Sequence, residues 1–336
     1  MPFFIYLCSM INSVRNTVIA ILNKNNYGYI SPSDFNLYAQ QAQLEIFMDY
    51  FSNYNTIINK ENARVSGTDY ADFGKSYSEQ IEEFIVTNSL VSLNFSITPY
   101  IPSNIYFLPS LTTTGDEEYM INKILCYTTL LASGTVTSNS LNQLNDTTAN
   151  FVTSGVSVGD IVTNISVFPH ATATITSVTT TILGLSLDIF TALPLPTLKN
   201  YRIFKSSVYS EAEKVSSGKI SLLNMSPITS PSTLYPAYIQ DKNTITVYPS
   251  TINQEGMIQC TYFRYPKVPK WTFTSLAGGE PVFNPSQPDY QDFEIGAQNE
   301  TSLVVKILQY CGISIRETLV AQFGKQEEME NNAQIP

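Results

Sequence analysis

The chain holds one histidine, His170, and four cysteines, Cys8, Cys126, Cys260 and Cys311, so its means for imidazole or thiolate chemistry are few. A nucleophilic triad needs a base hydrogen-bonded to its nucleophile, and His170 is the sole imidazole available. Its place between Pro169 and Ala171, in a Thr- and Ser-rich stretch, reads as a loop position. Structural zinc needs four Cys or His ligands, usually paired closely in sequence. The cysteines here are far apart with no CxxC pair, so neither zinc nor a disulfide framework is expected, and a reducing compartment fits.

Acidic side chains are the other candidates. Glycoside hydrolysis needs two carboxyl groups placed across a sugar, and the sequence offers Glu82/Glu83, Asp116/Glu117/Glu118 and Asp289/Asp292/Glu294. Each reads more simply as a solvated face, a turn or the flank of a helix N-terminus. The segment from Asn23 to Asp34 resembles an EF-hand loop, with Gly28 and Ile30 at the sixth and eighth positions. Asn23, Asn25 and Tyr27 bring no carboxylate, and calcium selects anionic oxygens, so the segment is expected to be a helix–turn–helix corner. Gly155–Gly159 is a turn signal, because no helix follows to present its N-terminus to a phosphate. No catalytic, cofactor-binding or metal-ligating residue is assigned, and the chain is expected not to be an enzyme.

The elements that would position any site begin with helices. Val14, Val18, Ile21 and Leu22 recur at three- and four-residue spacing and predict a helix over 12–23. Ser31-Pro32-Ser33-Asp34 is a start signal, with Ser31 as N-cap and Pro32 at the first helical position. The helix that follows, 33–58, carries the stripe Phe35, Ala39, Ala42, Ile46 and Tyr50, widened by Phe47, Phe51, Tyr54 and Ile58. A third is expected over 75–87, with Tyr77, Ile81, Phe84 and Ile85 inward. Val91, Leu93, Phe95 and Ile97 alternate with polar residues and predict a strand. Residues 120–132 suit a buried strand, although their periodicity also permits a helix. Residues 133–205, rich in Thr, Ser and Val with frequent turn signals, read as an inserted all-β module of five or six short strands. Thr244–Tyr248 and Met257–Phe263 are the clearest strands after it. The stretch 273–298 reads as loop, and 299–311 as a final helix ended by Gly312.

The expected fold class is therefore α+β, in four parts. Residues 1–132 form a helical core with a first β segment, 133–205 the inserted β-barrel-like module, 206–323 the β segment and C-terminal helix completing the core, and 324–336 a polar tail. Of the 336 residues 43% are hydrophobic and only 14% charged, against roughly 25% charged in ordinary soluble domains. So little charge suggests that much of the surface meets other subunits. The net charge of −10 and the lack of a long basic run give no support for binding to nucleic acid by counterion release. No stretch approaches the length of a membrane span. The opening MPFFIYLCSM is apolar without a basic flank, and Met10 is an alternative start.

Three stretches carry a resemblance. The first joins Val14-Arg15-Asn16-Thr17-Val18 to Asn25-Asn26-Tyr27-Gly28-Tyr29-Ile30 and Phe35-Asn36-Leu37-Tyr38-Ala39-Gln40-Gln41-Ala42-Gln43, closing at Asp69-Tyr70-Ala71-Asp72. The second is Tyr262-Phe263-Arg264-Tyr265-Pro266-Lys267-Val268-Pro269-Lys270-Trp271. The third is Asp292-Phe293-Glu294-Ile295 with Leu303–Leu308 and Cys311-Gly312-Ile313-Ser314-Ile315-Arg316-Glu317. Together they resemble the neck or collar structural proteins of crAss-like bacteriophages. Phe151-Val152, Gly155–Asp160 and Leu187-Asp188-Ile189-Phe190 look like a small β-barrel decoration of phage structural proteins. The leading MPFFIYLCS departs from that pattern.

The resemblance implies a virion protein forming a homo-oligomeric ring, twelve copies expected, between portal and tail. Its partners would be the portal, adjacent tail or ring proteins, and genomic DNA passing without sequence-specific contact; assembly would take place in the host cytoplasm, with no membrane and no cofactor. A competing reading is a receptor-binding or adhesin-type tail protein, suggested by the Thr/Ser/Asn-rich β texture and the many aromatics.

Overall fold

A computed structural model describes residues 9–23, 30–63, 73–93, 102–167, 169–190, 199–276, 278–315, 326 and 329. The chain is mixed α+β, with strands in several sheets and, among the described residues, five α-helices. It divides into two compact units, Met1–Phe84 with Pro266–Pro336, and Ile85–Tyr265.

The first unit contains α1 (Met10–Asn23), α2 (Pro32–Ala63) and α3 (Phe73–Glu82). Ser31 caps α2 as its sequence demands: its hydroxyl accepts from the Asp34 amide at 3.1 Å and donates to the Asp34 carboxylate at 2.7 Å. Phe35, Ala39, Ala42, Ile46, Phe47 and Tyr50 form the buried stripe. The helix extends beyond the expected 33–58 at both ends. The helix expected over 75–87 stops at Glu82, because Phe84 is buried in a turn and the β-branched Ile85-Val86-Thr87 run enters a sheet instead.

The second unit opens with β1 (Ile85–Ser89), β2 (Ile105–Phe107) and β3 (Glu118–Cys126). The expected alternation over 91–97 is not seen where the structure describes it, since Leu90, Val91 and Ser92 are consecutively buried and Leu93 is exposed; Phe95 and Ile97 lie outside the described residues. The segment 120–132 is not one buried strand. It ends β3, which is largely half-exposed, and turns at 127–129 into another sheet.

That sheet has seven strands: β4 (Leu130–Thr135), β5 (Ser138–Ser140), β6 (Gln143–Asn145), β7 (Ile161–Asn164), β8 (Ala171–Val178), β9 (Ile182–Leu185) and β10 (Asn200–Phe204). Their order is β4-β10-β7-β8-β9-β6-β5. Its two edge strands are successive parts of one run, 130–140, which pairs with β10 by its first half and β6 by its second. The sheet therefore curls into a half-barrel around Leu144, Phe151, Val162, Leu183, Phe190, Tyr201 and Ile203. Within it, Gly155–Asp160 is turn rather than strand.

After it come β11 (Ser210–Glu211), β12 (Glu213–Lys214), α4 (Ser217–Asn224), β13 (Ala237–Gln240), β14 (Thr244–Tyr248) and β15 (Ile258–Arg264). Helix α4 was not expected; its period is weak, and only Ile220 is buried. Two four-stranded sheets, β1-β15-β3-β11 and β12-β13-β14-β2, enclose a common core of Tyr106, Ile124, Tyr238, Ile245, Val247, Ile258 and Tyr262.

The chain then returns to the first unit. The expected loop 273–298 holds a hairpin, β16 (Phe273–Ser275) with β17 (Pro281–Phe283), and a 3-10 turn at Ala297–Asn299. Helix α5 (Glu300–Ile315) runs through Gly312 instead of ending there. An interior glycine costs about 1 kcal/mol, less than the burial of Leu303, Ile307, Leu308 and Cys311 on one face supplies. The polar tail 324–336 falls outside the described residues apart from Gln326 and Met329.

Trp271 organises the returning strand of this unit. It is buried, stacks on Phe273 and Phe283, and carries the Arg15 guanidinium 3.8 Å from its ring centroid. Asn36 exchanges two hydrogen bonds with its backbone, at 2.8 and 3.1 Å. Two turns further along α2, Gln43 donates to the Lys267 carbonyl at 2.7 Å and accepts from the Glu294 amide at 3.1 Å.

Candidate functional site

The acidic clusters resolve into separate structural tasks. Asp292 accepts from the amides of Met10 and Ile11 at 3.0 and 2.8 Å, capping α1 from 281 residues away. Glu294 accepts from the Lys267 amide at 2.7 Å, and Asp289 pairs with Lys270 at 2.6 Å. Glu82 accepts from Ser78 at 3.3 Å. Burial pushes the Glu118 carboxyl up, opposed by the charge of Lys214. Among the described residues no group of three or more His, Cys, Asp or Glu side chains could hold a metal ion. In the EF-hand-like segment, 24–29 lie outside the described residues, and Asp34 is engaged by Ser31.

His170 is a loop residue, as expected, and it is buried. Its Nδ1 lies 2.9 Å from the Val167 carbonyl and its Nε2 2.7 Å from Glu255 Oε2. A carbonyl only accepts, so Nδ1 carries a proton, and the remaining proton lies between Nε2 and the carboxylate. The other face of Glu255 receives the Ser92 amide at 3.2 Å on each oxygen and the Ser92 hydroxyl in a short bond. Arg202, on β10, donates to the Glu255 carbonyl at 2.9 Å. The carboxylate thus stands between serine and imidazole. These three residues clamp the half-barrel to the two four-stranded sheets beside it.

The adjoining Gly256 fits this junction. Its φ is +82°, and a Cβ there would lie 3.0 Å from the Phe204 ring and 3.3 Å from Thr163. Only glycine combines that backbone with so close an approach.

The feature with the clearest functional meaning lies elsewhere in this unit, between α4 and β13. Leu222, Met225, Ile228, Leu234 and Tyr235 are 69, 81, 94, 73 and 81% exposed. Between Ile220 and Pro236 there is no Asp, Glu, Lys, Arg or His. Scattered exposed leucines are ordinary, but here five large apolar side chains are exposed within one uncharged stretch of fourteen residues, 222–235. The segment is also locally ordered. The Thr229 and Ser230 amides donate to the Ser226 carbonyl at 3.2 and 2.9 Å, the Thr229 hydroxyl to the Leu223 carbonyl at 3.1 Å, and the Ser232 amide to the Tyr235 carbonyl at 3.2 Å. Ser216 caps α4 through the Lys219 amide. This apolar arm is thus pre-shaped, which lowers the entropy cost of docking.

Sequence reading passed over the arm because its apolar residues follow neither a two- nor a 3.6-residue period. The available signal was a run of Leu, Met, Ile and Tyr among Ser, Thr and Pro without one charge. Among the described residues no helix is long and apolar enough to cross a membrane. No family model and no curated protein matches the chain.

Proposed function

We propose that the chain is a non-enzymatic structural subunit of a closed ring in the head-to-tail neck of a phage particle, linking portal to tail around the DNA channel. The observation that carries the reading is the ordered, uncharged arm at 222–235, exposed on a chain that is only 14% charged. Such a surface is costly for a lone subunit and useful for one enclosed by neighbours. The resemblance of the Val14–Ile30, Tyr262–Trp271 and Asp292–Glu317 stretches to neck proteins of crAss-like phages supports the same class.

On this reading the long helix and the C-terminal helix form a core beside the channel, and the 133–205 segment is an inserted barrel-like module. A net charge of −10 lets DNA pass without being held. Rings close through heterologous contacts, in which two different patches of each subunit meet.

The test is native mass with negative-stain images of the same sample. Twelve subunits of 37.4 kDa give a ring of roughly 450 kDa with closed cyclic symmetry. A trimer with affinity for host glycans would replace this reading with the adhesin. If the purified chain is monomeric, portal protein is added as a template, and failure to form a ring on it would overturn the proposal.

A further inference from the structure

His170 ties the half-barrel to the neighbouring sheets at a second place, away from its chain links. The chain enters the half-barrel at Leu130 and leaves it at Phe204, and these two residues pair. Phe204 also faces Ile161 on β7, whereas His170 adjoins Ala171, the partner of Asn164 at the other end of β7. The second attachment therefore lies about four residues along the strands from the first, or roughly 13 Å. What it holds is Glu255, in the loop before β15, and through Glu255 the amide and hydroxyl of Ser92. Ser92 stands where both four-stranded sheets meet: the Leu90 amide donates to the Ile258 carbonyl of β15, and the Phe107 amide of β2 to the Val91 carbonyl.

The protons at this joint follow from its acceptors. Val167 offers Nδ1 a carbonyl at 2.9 Å, and Glu255 offers Nε2 a carboxylate oxygen at 2.7 Å. Ser92 turns only donors towards that carboxylate, which suits its ionised form. The imidazole that then fits both of its own acceptors is the cation, with a hydrogen on each nitrogen. Other charge is sparse on the elements packed here. Residues 85–93, 161–178 and 249–257 contain none besides His170 and Glu255. On β10 the charge is Arg202, which donates to the Glu255 carbonyl at 2.9 Å, and just before that strand Lys199 donates to the Phe190 carbonyl. His170, Glu255 and Ser92 are all buried, so water does not take the place of a lost partner unless the joint parts.

We infer that His170 is a proton-operated latch: as the cation it holds the far edge of the half-barrel to the two sheets, and on losing its Nε2 proton it lets that edge open. With the proton gone, a nitrogen lone pair faces a carboxylate oxygen, and a charge-assisted hydrogen bond becomes a contact between two acceptors. The latch contributes stability where the imidazole is charged and loses it as pH rises through the titration of His170. It operates within a single copy and is independent of subunit assembly.

His170 is the one histidine of the chain, so heavy-nitrogen-labelled histidine gives a spectrum that reports this side chain alone. Spectra of the full chain are recorded from about pH 6 to about pH 9, a span that brackets ordinary histidine titration. Amide hydrogen exchange is followed in parallel by mass spectrometry, as protection factors corrected for the intrinsic effect of pH, in peptides covering Ile165–Val167 and Leu90–Ser92. Two protonated nitrogens are expected at the acid end, with protection of both segments falling at least roughly tenfold as Nε2 loses its proton. An imidazole with one bare nitrogen at about pH 6, or with both protons still in place at about pH 9, would overturn the latch. Titration with unchanged protection would overturn it as well. Glu255→Gln separates the latch from packing alone, since its carboxamide accepts from Ser92 and donates to a neutral imidazole. Protection of the same segments in that variant is expected to vary less than about twofold across the span. A tenfold fall that persists in Glu255→Gln would assign the effect to another group and remove the proposal.

Discussion

At the scale of single residues, His170 and Glu255 show how burial changes what a side chain is for. Each is almost wholly enclosed, and an unpaired charge left in such a place costs about 3–5 kcal/mol. His170→Ala is expected to lower the urea midpoint by about 3 kcal/mol of stability, and His170→Ala with Glu255→Gln by less than the sum of the two single changes. Strict additivity in that cycle would show that the pair is not coupled. The buried thiols make a second case. Burial pushes Cys126 and Cys311 up to about 12, and Cys260 up as well. Only the thiolate reacts, so all three should resist iodoacetamide in the native protein at pH 8 and react once it is unfolded in urea. Labelling of any of them in the native state, read by mass spectrometry, would contradict the packing described here. The identity of these residues was plain from the sequence. Their partners were not, since Glu255 lies 85 residues from His170 and nothing in its local pattern points back.

At the scale of elements, caps reach across the chain as well as along it. Ser31 and Asp34 form a local cap that sequence spacing reveals. Asp292 caps α1 from the far end of the chain, a role hidden until the fold brings the two together. Asp292→Ala should destabilise the protein by about 1 kcal/mol, the ordinary worth of an N-cap, with an unchanged denaturation midpoint as the result that refutes it. The half-barrel has its own acidic lock. Desolvation pushes Asp146 up, but hydrogen bonds from Thr148 and from Tyr201, at 2.6 and 2.7 Å, outweigh it and hold the carboxyl below its ordinary value. A depressed carboxyl contributes its stability above the unfolded value near about pH 4 and loses it as pH falls through the folded one. Asp146→Asn should therefore cost about 2 kcal/mol at neutral pH. The gap from wild type should narrow as the solution is acidified below the ordinary carboxylate range. A gap that stays constant down to the acid limit of folding would exclude this role.

At the scale of the molecule, the low charge and the exposed 222–235 segment are the observations behind the proposal that the chain belongs to a larger assembly. If the proposed ring forms, truncation after residue 323 is expected to weaken its stacking on neighbouring rings; unchanged assembly of the truncated chain by electron microscopy would rule that out. The stepwise path of the chain, out of one unit at Phe84 and back at Pro266, puts its two outer segments together in one body. Helices from the first eighty residues and from the last seventy consequently share packing partners such as Lys306 with Glu45 and Asp49, each at 3.2 Å.

By itself the sequence determined what local physics controls. The caps and stripe of the long helix, the strands at 244–248 and near 258–264, the β character of 133–205 and the scarcity of catalytic groups were all readable from spacing and residue type. Tertiary structure decided what depends on distant partners. It turned Ile85–Thr87 into a strand because β15 was there to pair with it, carried α5 through Gly312 because its face was already buried, and enclosed His170 against Glu255. It also left the 222–235 arm in solvent. An apolar residue declares its preference for burial in the sequence, but whether its own chain can satisfy that preference depends on which surfaces the fold has left to meet it.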